Sequence, residues 1–245
     1  MYVWGGNLNR NPLAFVKATD LWSWSDGTWT EIPTSGDAPD PTRAFFGSLY
    51  DPTRKRLVIF GGQIGDFQSQ AFNSMYALDV TTGVWSELHQ GSGMVTNGGG
   101  TPSTRMHAHM VYDDLRDRYL VWGGHTDIGD QNDLWAFDPT TDAWERVRMA
   151  DRLTNSGVGC NGNSSEVPKD FVDEDLSAPE RRHRGMFALM HDSLWISQGI
   201  HAECSNQVDD TWRYDIEGDA WIELIEATSG ESCARRGDDC TCLCI

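Results

Sequence analysis

Long apolar runs, basic residues and helical periodicity are all scarce in this sequence of 245 residues, and each shortage excludes a class of protein. No run approaches the 18 apolar residues that a transmembrane helix requires, so we expect no membrane insertion. Asp and Glu number 37 against 19 Lys and Arg, giving a formal net charge of −18. This balance disfavours nucleic acids and anionic membrane surfaces as partners. No long stretch repeats with the 3.6-residue period of an amphipathic helix, which favours an all-β chain.

Catalytic and targeting motifs are scarce as well. The sequence contains no nucleophile motif, no phosphate-binding loop and no metal-ligand spacing of strong specificity. The first residues, MYVWGGNLNR, lack the basic region and the cleavage site of a signal peptide. An even number of cysteines in a loop-rich chain nevertheless favours an oxidising compartment, so we expect an extracellular or cell-envelope protein. The six cysteines are Cys160, Cys204, Cys233, Cys240, Cys242 and Cys244.

Four tryptophans mark an internal repeat, with spacings of 56, 59 and 77 residues. Three of them end the related segments DVTTGVW, DPTTDAW and DIEGDAW, and upstream of all four lies an apolar run closing on glycine. These runs are MYVWGG, RLVIFGG, RYLVWGG and SLWISQG. A repeat of this length indicates a modular architecture in which neighbouring repeats bury a shared core. The tryptophans are Trp29, Trp85, Trp144 and Trp221, and we expect all four in equivalent buried places on outer strands.

Each repeat reads as four short strands, here called a to d, rich in β-branched and aromatic residues. Strand a follows an arginine, strand b ends in the glycines, strand c contains aromatic residues and ends in Asp, and strand d carries the Trp. The predicted blades are 1–32 (strands b to d only), 43–88, 105–147 and 183–224, within a repeat region of 1–232. The cysteine-rich remainder, 233–245, is a candidate for a closing strand a.

The double glycine, the aromatic strand c and the Trp of strand d together resemble the kelch repeat over about residues 1–225. The propeller of galactose oxidase is of the same kind. The resemblance implies a kelch-type β-propeller in which each repeat forms one four-stranded blade. Two arrangements stay open: a closed ring of four blades, or an excerpt of a larger propeller.

The irregular connections all emerge at one end of the predicted strands. Links a–b and c–d are short turns, whereas links b–c and d–a are long, and alternating strand direction puts all the long links on one face. Three arginines recur where strand a leaves that face, Arg43, Arg105 and Arg184, followed in one repeat by His107 and His109. These five residues are the predicted ligand site, because guanidinium groups bind carboxylates well. The alternative is a structural arginine bonded to carbonyl groups of the neighbouring blade.

Two further hypotheses concern the 148–182 insertion. Cys160 and Cys204 lie on links of the same face, and we expect them to form a disulfide. Glu166, Asp170, Asp173 and Asp175 are weak candidates for holding a hard cation such as calcium, although a solvated acidic loop is the preferred interpretation and no cofactor is expected. The sequence therefore favours a non-catalytic module that binds a protein, peptide or glycan on the long-loop face. The alternative is a propeller enzyme, a metal-assisted lyase, an oxidase or a carbohydrate-active enzyme, with a site on the same face.

Overall fold

The computed structural model describes residues 1–7, 17–40, 43–64, 71–93, 100–126, 129–150, 177–201 and 206–226. Within these ranges the secondary structure consists of strands and turns, without a helix. The chain divides into two compact units, Met1–Met106 and His107–Ile245. The all-β expectation is confirmed, and each unit is built from sheets of consecutive strands.

The first unit contains two main sheets. In the first sheet the strands lie in the order β1-β2-β3, with antiparallel pairing. The second sheet has the order β4-β10-β9-β7-β6, and a short ladder joins β5 to β8. The strands are β1 (Tyr2–Asn7), β2 (Lys17–Ser25), β3 (Thr28–Ile32), β4 (Ser35–Gly36), β5 (Arg43–Ala44), β6 (Gly47–Asp51), β7 (Arg56–Phe60), β8 (Gln63–Ile64), β9 (Met75–Asp79) and β10 (Val84–His89).

The short strand β4 was not anticipated from the sequence. It pairs in parallel with β10, with Ser35 opposite Val84 and Gly36 opposite Trp85. The sequence predicted purely antiparallel sheets, and the parallel pairing of β4 with β10 is a departure from that prediction. The reason is local: the chain leaving the first sheet runs along the free edge of β10 and satisfies its backbone groups there.

The second unit contains two four-stranded antiparallel sheets in simple chain order, β11-β12-β13-β14 and β15-β16-β17-β18. Their strands are β11 (His109–Asp113), β12 (Arg118–Thr126), β13 (Gly129–Asp138), β14 (Ala143–Arg148), β15 (Met186–Met190), β16 (Ser193–His201), β17 (Asn206–Asp215) and β18 (Ala220–Ile225). All four sheets thus follow the predicted order b-c-d or a-b-c-d.

The short turns explain the fixed spacing between Asp and Trp. Asp79 accepts hydrogen bonds from the backbone N–H groups of Thr81 and Thr82, at 2.7 and 2.9 Å. Asp215 closes its turn in the same way, accepting from Glu217 and Gly218. A carboxylate that caps the turn between strands c and d sets the register in which the Trp enters strand d.

The four tryptophans all lie on the last strand of their sheets, as predicted, but they are not equally buried. Trp85 is buried against Leu21 and Trp4 of the first sheet, and Trp221 is buried against Trp122 of the third. A Trp on strand d is thus covered by the preceding sheet of its own unit. Trp144 is only partly buried. Trp29 is exposed, and its ring packs on Trp24 of the adjacent strand. The expectation of four equivalent buried places is therefore wrong for Trp29 and Trp144.

Candidate functional site

The double glycine of strand b forms one side of a fork that receives the backbone of the next repeat. Gly62 donates to the carbonyl oxygen of Arg105 at 2.8 Å, and the N–H of Arg105 donates to the carbonyl oxygen of Phe72 at 2.9 Å. A Cβ on Gly61 would lie 2.4 Å from that same Arg105 oxygen, which no side chain tolerates. Glycine is needed here for close backbone approach and for its positive φ.

The second unit repeats this fork with a different arginine. Gly124 donates to the carbonyl oxygen of Arg182 at 3.3 Å, and the N–H of Arg182 donates to Gln131 at 3.4 Å. The Nε of Arg182 also donates a hydrogen bond to the backbone carbonyl oxygen two residues earlier, as the Nε of Arg105 does. Arg182 is therefore the repeat equivalent of Arg43 and Arg105. The equivalence drawn from the sequence placed Arg184 in this role and is wrong by two residues, because the run Arg181-Arg182-His183-Arg184 offers several arginines to the pattern.

The guanidinium groups of the three equivalent arginines are buried. Arg43 donates from Nη1 to the carbonyl oxygen of Gly61 and to Ser74 Oγ, and its guanidinium lies 4.1 Å from the Phe72 ring centroid. Burial lowers the pKa of Arg43. Arg105 donates from Nη2 to Ser103 Oγ at 3.0 Å. These contacts are those of arginines that organise the fork, and the predicted ligand-binding role of Arg43 and Arg105 stays a prediction.

Arg182 is paired with a buried carboxylate. Its Nη2 donates to Oδ2 of Asp210 at 2.8 Å, its Nη1 contacts Oδ1, and both side chains are fully buried. The Nε1 of Trp212 donates to the same carboxylate at 2.8 Å. A buried charge pair with these additional hydrogen bonds fixes the start of the fourth repeat against strand c of its own sheet.

The residue two positions after each structural arginine points elsewhere. Phe45, His107 and Arg184 occupy this position and share a positive φ of 60°, 55° and 58°. A left-handed residue redirects the chain, so its side chain leaves the interior that receives the arginine. Arg184 is exposed, and its Nη2 donates to Nε2 of His107 at 3.4 Å. Arg184 and His107, two of the five residues of the predicted ligand site, are thus in contact.

Three further residues, His125, Asp130 and His183, lie beside His107 and Arg184. We call these five residues the histidine cluster. The rings of His107 and His183 are 5.3 Å apart, and those of His125 and His183 are 5.8 Å apart. Asp130 is fully buried. Its carboxylate forms hydrogen bonds with Nδ1 of His125 at 2.9 Å and with Nδ1 of His183 at 3.2 Å. Because an ionised carboxylate only accepts, both imidazoles donate to it. The cluster lies at the end of the third and fourth sheets where links b–c and d–a emerge.

His107 is neutral in this setting. Burial, followed by the charge of Arg184, lowers the pKa of His107 to about 3. A neutral imidazole accepts through Nε2, which agrees with the hydrogen bond from Arg184. The sequence identified His107 but missed His125, Asp130 and His183. The available signal was the histidine directly following Gly123-Gly124, which extends strand b toward the long links.

His109 lies apart from the cluster. Its ring packs between Trp122 and Phe187, with centroids 5.8 and 5.7 Å away. Its Nε2 is buried and has no hydrogen-bond partner among the residues that the structure describes. Burial lowers the pKa of His109 to about 4. The sequence placed His107 and His109 on one side by strand alternation. The positive φ of His107 breaks that alternation, because β11 begins only at His109.

A cavity of about 410 Å³ lies at the opposite end of the third sheet. It is bounded by the turns after β11 and β13 and includes Arg116, Arg118, Asp138, Thr140 and Trp144. Arg116 and Arg118 are engaged by the buried carboxylate of Asp113. The cavity therefore belongs to the short-turn side, away from the histidine cluster.

Several predicted residues lie outside the described ranges. These are Glu166, Asp170, Asp173, Asp175, Cys160 and Cys204, so the cation site and the disulfide stay predictions. Among the residues that the structure describes, no group of three or more His, Cys, Asp or Glu side chains is arranged to hold a metal ion. No helix in that part of the chain is long and apolar enough to cross a membrane.

Comparison with known proteins agrees with the repeat geometry. The family model of the KLHDC2/KLHL20/DRC7 Kelch-repeats domain matches residues 1–162. Acyl-CoA-binding domain-containing protein 4 of Arabidopsis thaliana is 25% identical over 206 residues, covering 60% of this chain and 29% of the relative's length. The chain thus spans less than a third of that relative. Kelch domains serve in general as protein-interaction modules. With its glycine forks, its strand-d tryptophans and this match, the chain belongs to the kelch-repeat family, and its sheets are blades of a kelch-type β-propeller.

Proposed function

We propose that this chain is a non-catalytic interaction module that binds an acidic segment of a protein partner at the histidine cluster. The single observation that carries the proposal is Arg184. Its guanidinium is exposed, its hydrogen bond goes to a neutral imidazole, and no carboxylate of the described residues pairs with it. Arg184 therefore has a charge available for a partner, whereas Arg43, Arg105 and Arg182 are buried.

The surroundings of Arg184 favour a carboxylate. Guanidinium groups bind carboxylates through paired, charge-assisted hydrogen bonds of good geometry. The chain as a whole carries a formal charge of −18, so its field repels loosely held anions and leaves binding to sites with direct contacts. His107, next to Arg184 and only partly buried, supplies a ring against which an extended peptide can pack.

The position of Arg184 in the repeat also supports a role in recognition. The same left-handed position carries Phe45 in the second repeat and His107 in the third. The scaffold residues around it, the fork glycines and the buried arginine, recur. A side chain that changes from repeat to repeat on a recurring scaffold is where a repeat protein places specificity.

Fluorescence anisotropy with a labelled glutamate-rich peptide tests this proposal. We expect the wild type to bind the peptide and Arg184→Gln to bind it about 10- to 100-fold more weakly, the range for a lost hydrogen bond to a charged group. The matched control is Arg116→Gln, which removes the same charge from the short-turn side.

Equal weakening by the two variants would show that only net charge matters and would contradict the proposed site. The proposal also fails if the wild type ignores the peptide or instead binds a uronic-acid glycan. Thermal unfolding of each variant establishes that the folded state is retained in the comparison.

A further inference from the structure

The cavity of about 410 Å³ at the short-turn end of the third sheet lies on the side of that sheet that faces the fourth sheet. Ala136 lies opposite Glu145 in the ladder and belongs to the core that the two sheets share. Side chains two positions apart on a strand share a face. Five residues of this face line the cavity: Arg118, Ala136, Asp138, Ala143 and Glu145. The volume lies within the range of small-molecule sites, about 300 to 1,000 Å³.

Small side chains leave this space open. Ala136 on β13 and Ala143 on β14 supply the apolar part of the lining. The turn between these two strands contributes Thr140 and Thr141, so most of the remaining lining is polar. Small apolar groups surrounded by polar side chains suit a ligand that is oriented by hydrogen bonds.

Two arginines of the lining are held in place by carboxylates that lie outside it. Asp113 is buried, accepts from Nε of Arg118 at 3.0 Å and lies 3.5 Å from Nη1 of Arg116. Nη2 of Arg116 donates to Asp192, in a turn of the fourth sheet, at 3.1 Å. In the described part of the chain Arg118 is held through its Nε alone, so its two Nη groups are left to donate to a ligand. Donors that are fixed before a ligand arrives lower the entropic cost of binding it.

Asp138 and Glu145 supply hydrogen-bond acceptors to the same cavity. Oγ1 and the backbone N–H of Thr140 donate to Oδ1 of Asp138 at 2.6 and 2.7 Å, and these hydrogen bonds lower the pKa of Asp138. The carboxylate of Asp138 is therefore ionised at neutral pH and can only accept. Glu145 is exposed, and its carboxylate forms no ion pair with another residue that the structure describes.

The repeat itself does not require a carboxylate at the position of Glu145. This residue directly follows the Trp of strand d, and the other three sheets carry Thr30, Ser86 and Ile222 there. All four residues lie within strand d, so the strand accepts a hydroxyl, an alkyl group or a carboxylate at this place. Glu145 is thus a feature of this cavity and not of the recurring scaffold.

The mixture of donors and acceptors in the cavity favours a neutral ligand. An anion attracted by Arg118 also meets Asp138 and Glu145, and a cation attracted by these carboxylates also meets the arginines. A hydroxyl group can donate to a carboxylate and accept from a guanidinium at the same time. Several neighbouring hydroxyl groups on one uncharged ring, as in a saccharide, therefore use both kinds of side chain without burying a net charge.

We propose that this cavity binds a neutral saccharide, whose hydroxyl groups donate to Asp138 and Glu145 and accept from Arg118. The cavity shares no residue with the histidine cluster and lies at the opposite end of the third sheet. Saccharide binding here therefore goes beyond the peptide binding proposed for the cluster and does not depend on it.

Saturation-transfer NMR of the whole chain with glucose, galactose, mannose and N-acetylglucosamine tests the proposal. We expect at least one of these neutral sugars to bind in the millimolar range. Glu145→Thr installs the residue that the first sheet carries at this position, and it is expected to weaken binding about tenfold or more, as for a lost hydrogen bond to a charged group. Glu217→Thr is the matched control, because it removes an exposed carboxylate from the turn before β18, outside the cavity, and it is expected to bind like the wild type.

Two further comparisons test the neutrality of the ligand and its place. Glucosamine and glucuronic acid add a positive and a negative charge to the sugar ring, and both are expected to bind more weakly than the neutral sugar that binds best. Ala143→Phe fills the cavity and is expected to abolish binding while thermal unfolding shows a folded chain. The proposal is overturned if none of the four neutral sugars binds or if either charged sugar binds more tightly. Equal affinities of Glu145→Thr and the wild type also overturn it.

Discussion

Arg182 and Asp210 show why buried arginines are found where the sequence suggested a ligand site. Both side chains are fully buried, and Trp212 donates to the same carboxylate. Moving two charges out of water is costly unless every remaining group is paired, and here the fork carbonyls and the carboxylate pair them. Arg184, which lies outside this network, is the arginine that we propose for binding a partner.

A pH dependence of stability follows from His109. Its pKa is about 4 in the folded chain, because burial penalises the charged ring, against about 6.5 in an unfolded chain. The pKa of His109 is lower in the folded chain than in the unfolded chain. Neutral His109 therefore contributes fully to the free energy of unfolding above about pH 6.5, and this contribution is lost as the pH falls toward 4. Between pH 7 and pH 5 the loss for one such histidine is about 2 kcal/mol.

Urea denaturation of the wild type and of His109→Leu at pH 7 and pH 5 measures this effect. The decrease in the free energy of unfolding is expected to be about 2 kcal/mol smaller in the variant. Equal decreases in the two proteins would mean that His109 titrates normally in the folded state.

At the scale of the blade, the fork between strands b and c joins consecutive repeats. Gly61, Gly123 and Gln198 occupy its first position with φ of 68°, 60° and 60°. The fourth repeat therefore places a side chain in a left-handed conformation that glycine adopts elsewhere. Gly61 differs from Gln198 in its surroundings, because a Cβ on Gly61 would clash with the carbonyl oxygen of Arg105.

Substitutions at this position are expected to have opposite signs. Gly61→Ala should cost more than about 1 kcal/mol of unfolding free energy, from the steric overlap and from φ. Gln198→Gly should stabilise by up to about 1 kcal/mol, since it relieves a left-handed residue at the cost of a more flexible unfolded chain. Chemical denaturation followed by tryptophan fluorescence measures both. A neutral Gly61→Ala would contradict the tight fork.

The sequence was sufficient for the repeat, the strand order and the turns, because these depend on local patterns. The short turn between strands c and d and the position of Trp85 on strand d are examples. It was not sufficient for burial, since Trp29 and Trp85 carry the same signal and differ only in whether a preceding sheet covers them. Strand β4 was invisible because two residues have no periodicity.

The site shows the same limit. Strand alternation assumes an extended backbone. The left-handed conformation of His107 breaks the alternation, so the side chains of His107 and His109 lie in different surroundings. The Arg184 register was ambiguous because Arg181 and Arg182 precede it. His125 and Asp130 are cross-strand partners in the β12–β13 ladder. His183 lies 53 residues from Asp130 and meets it only through the packing of the third and fourth sheets, which no local pattern reports.

At the scale of the whole molecule, the chain combines recurring scaffold with one polar cluster that departs from it. The fork glycines and buried arginines recur, whereas the left-handed position varies from Phe45 to His107 to Arg184. We propose that partners of this kelch module are bound where the scaffold varies, at the histidine cluster.

Histidine side-chain NMR of the folded chain, with and without the glutamate-rich peptide, tests this claim most directly. A carboxylate bound to Arg184 reduces the positive field that helps to hold the pKa of His107 at about 3. We therefore expect bound peptide to shift the His107 resonances and to raise its pKa, while His109, buried between Trp122 and Phe187, serves as the internal control and does not change. Bound peptide with unchanged His107 resonances would contradict the account.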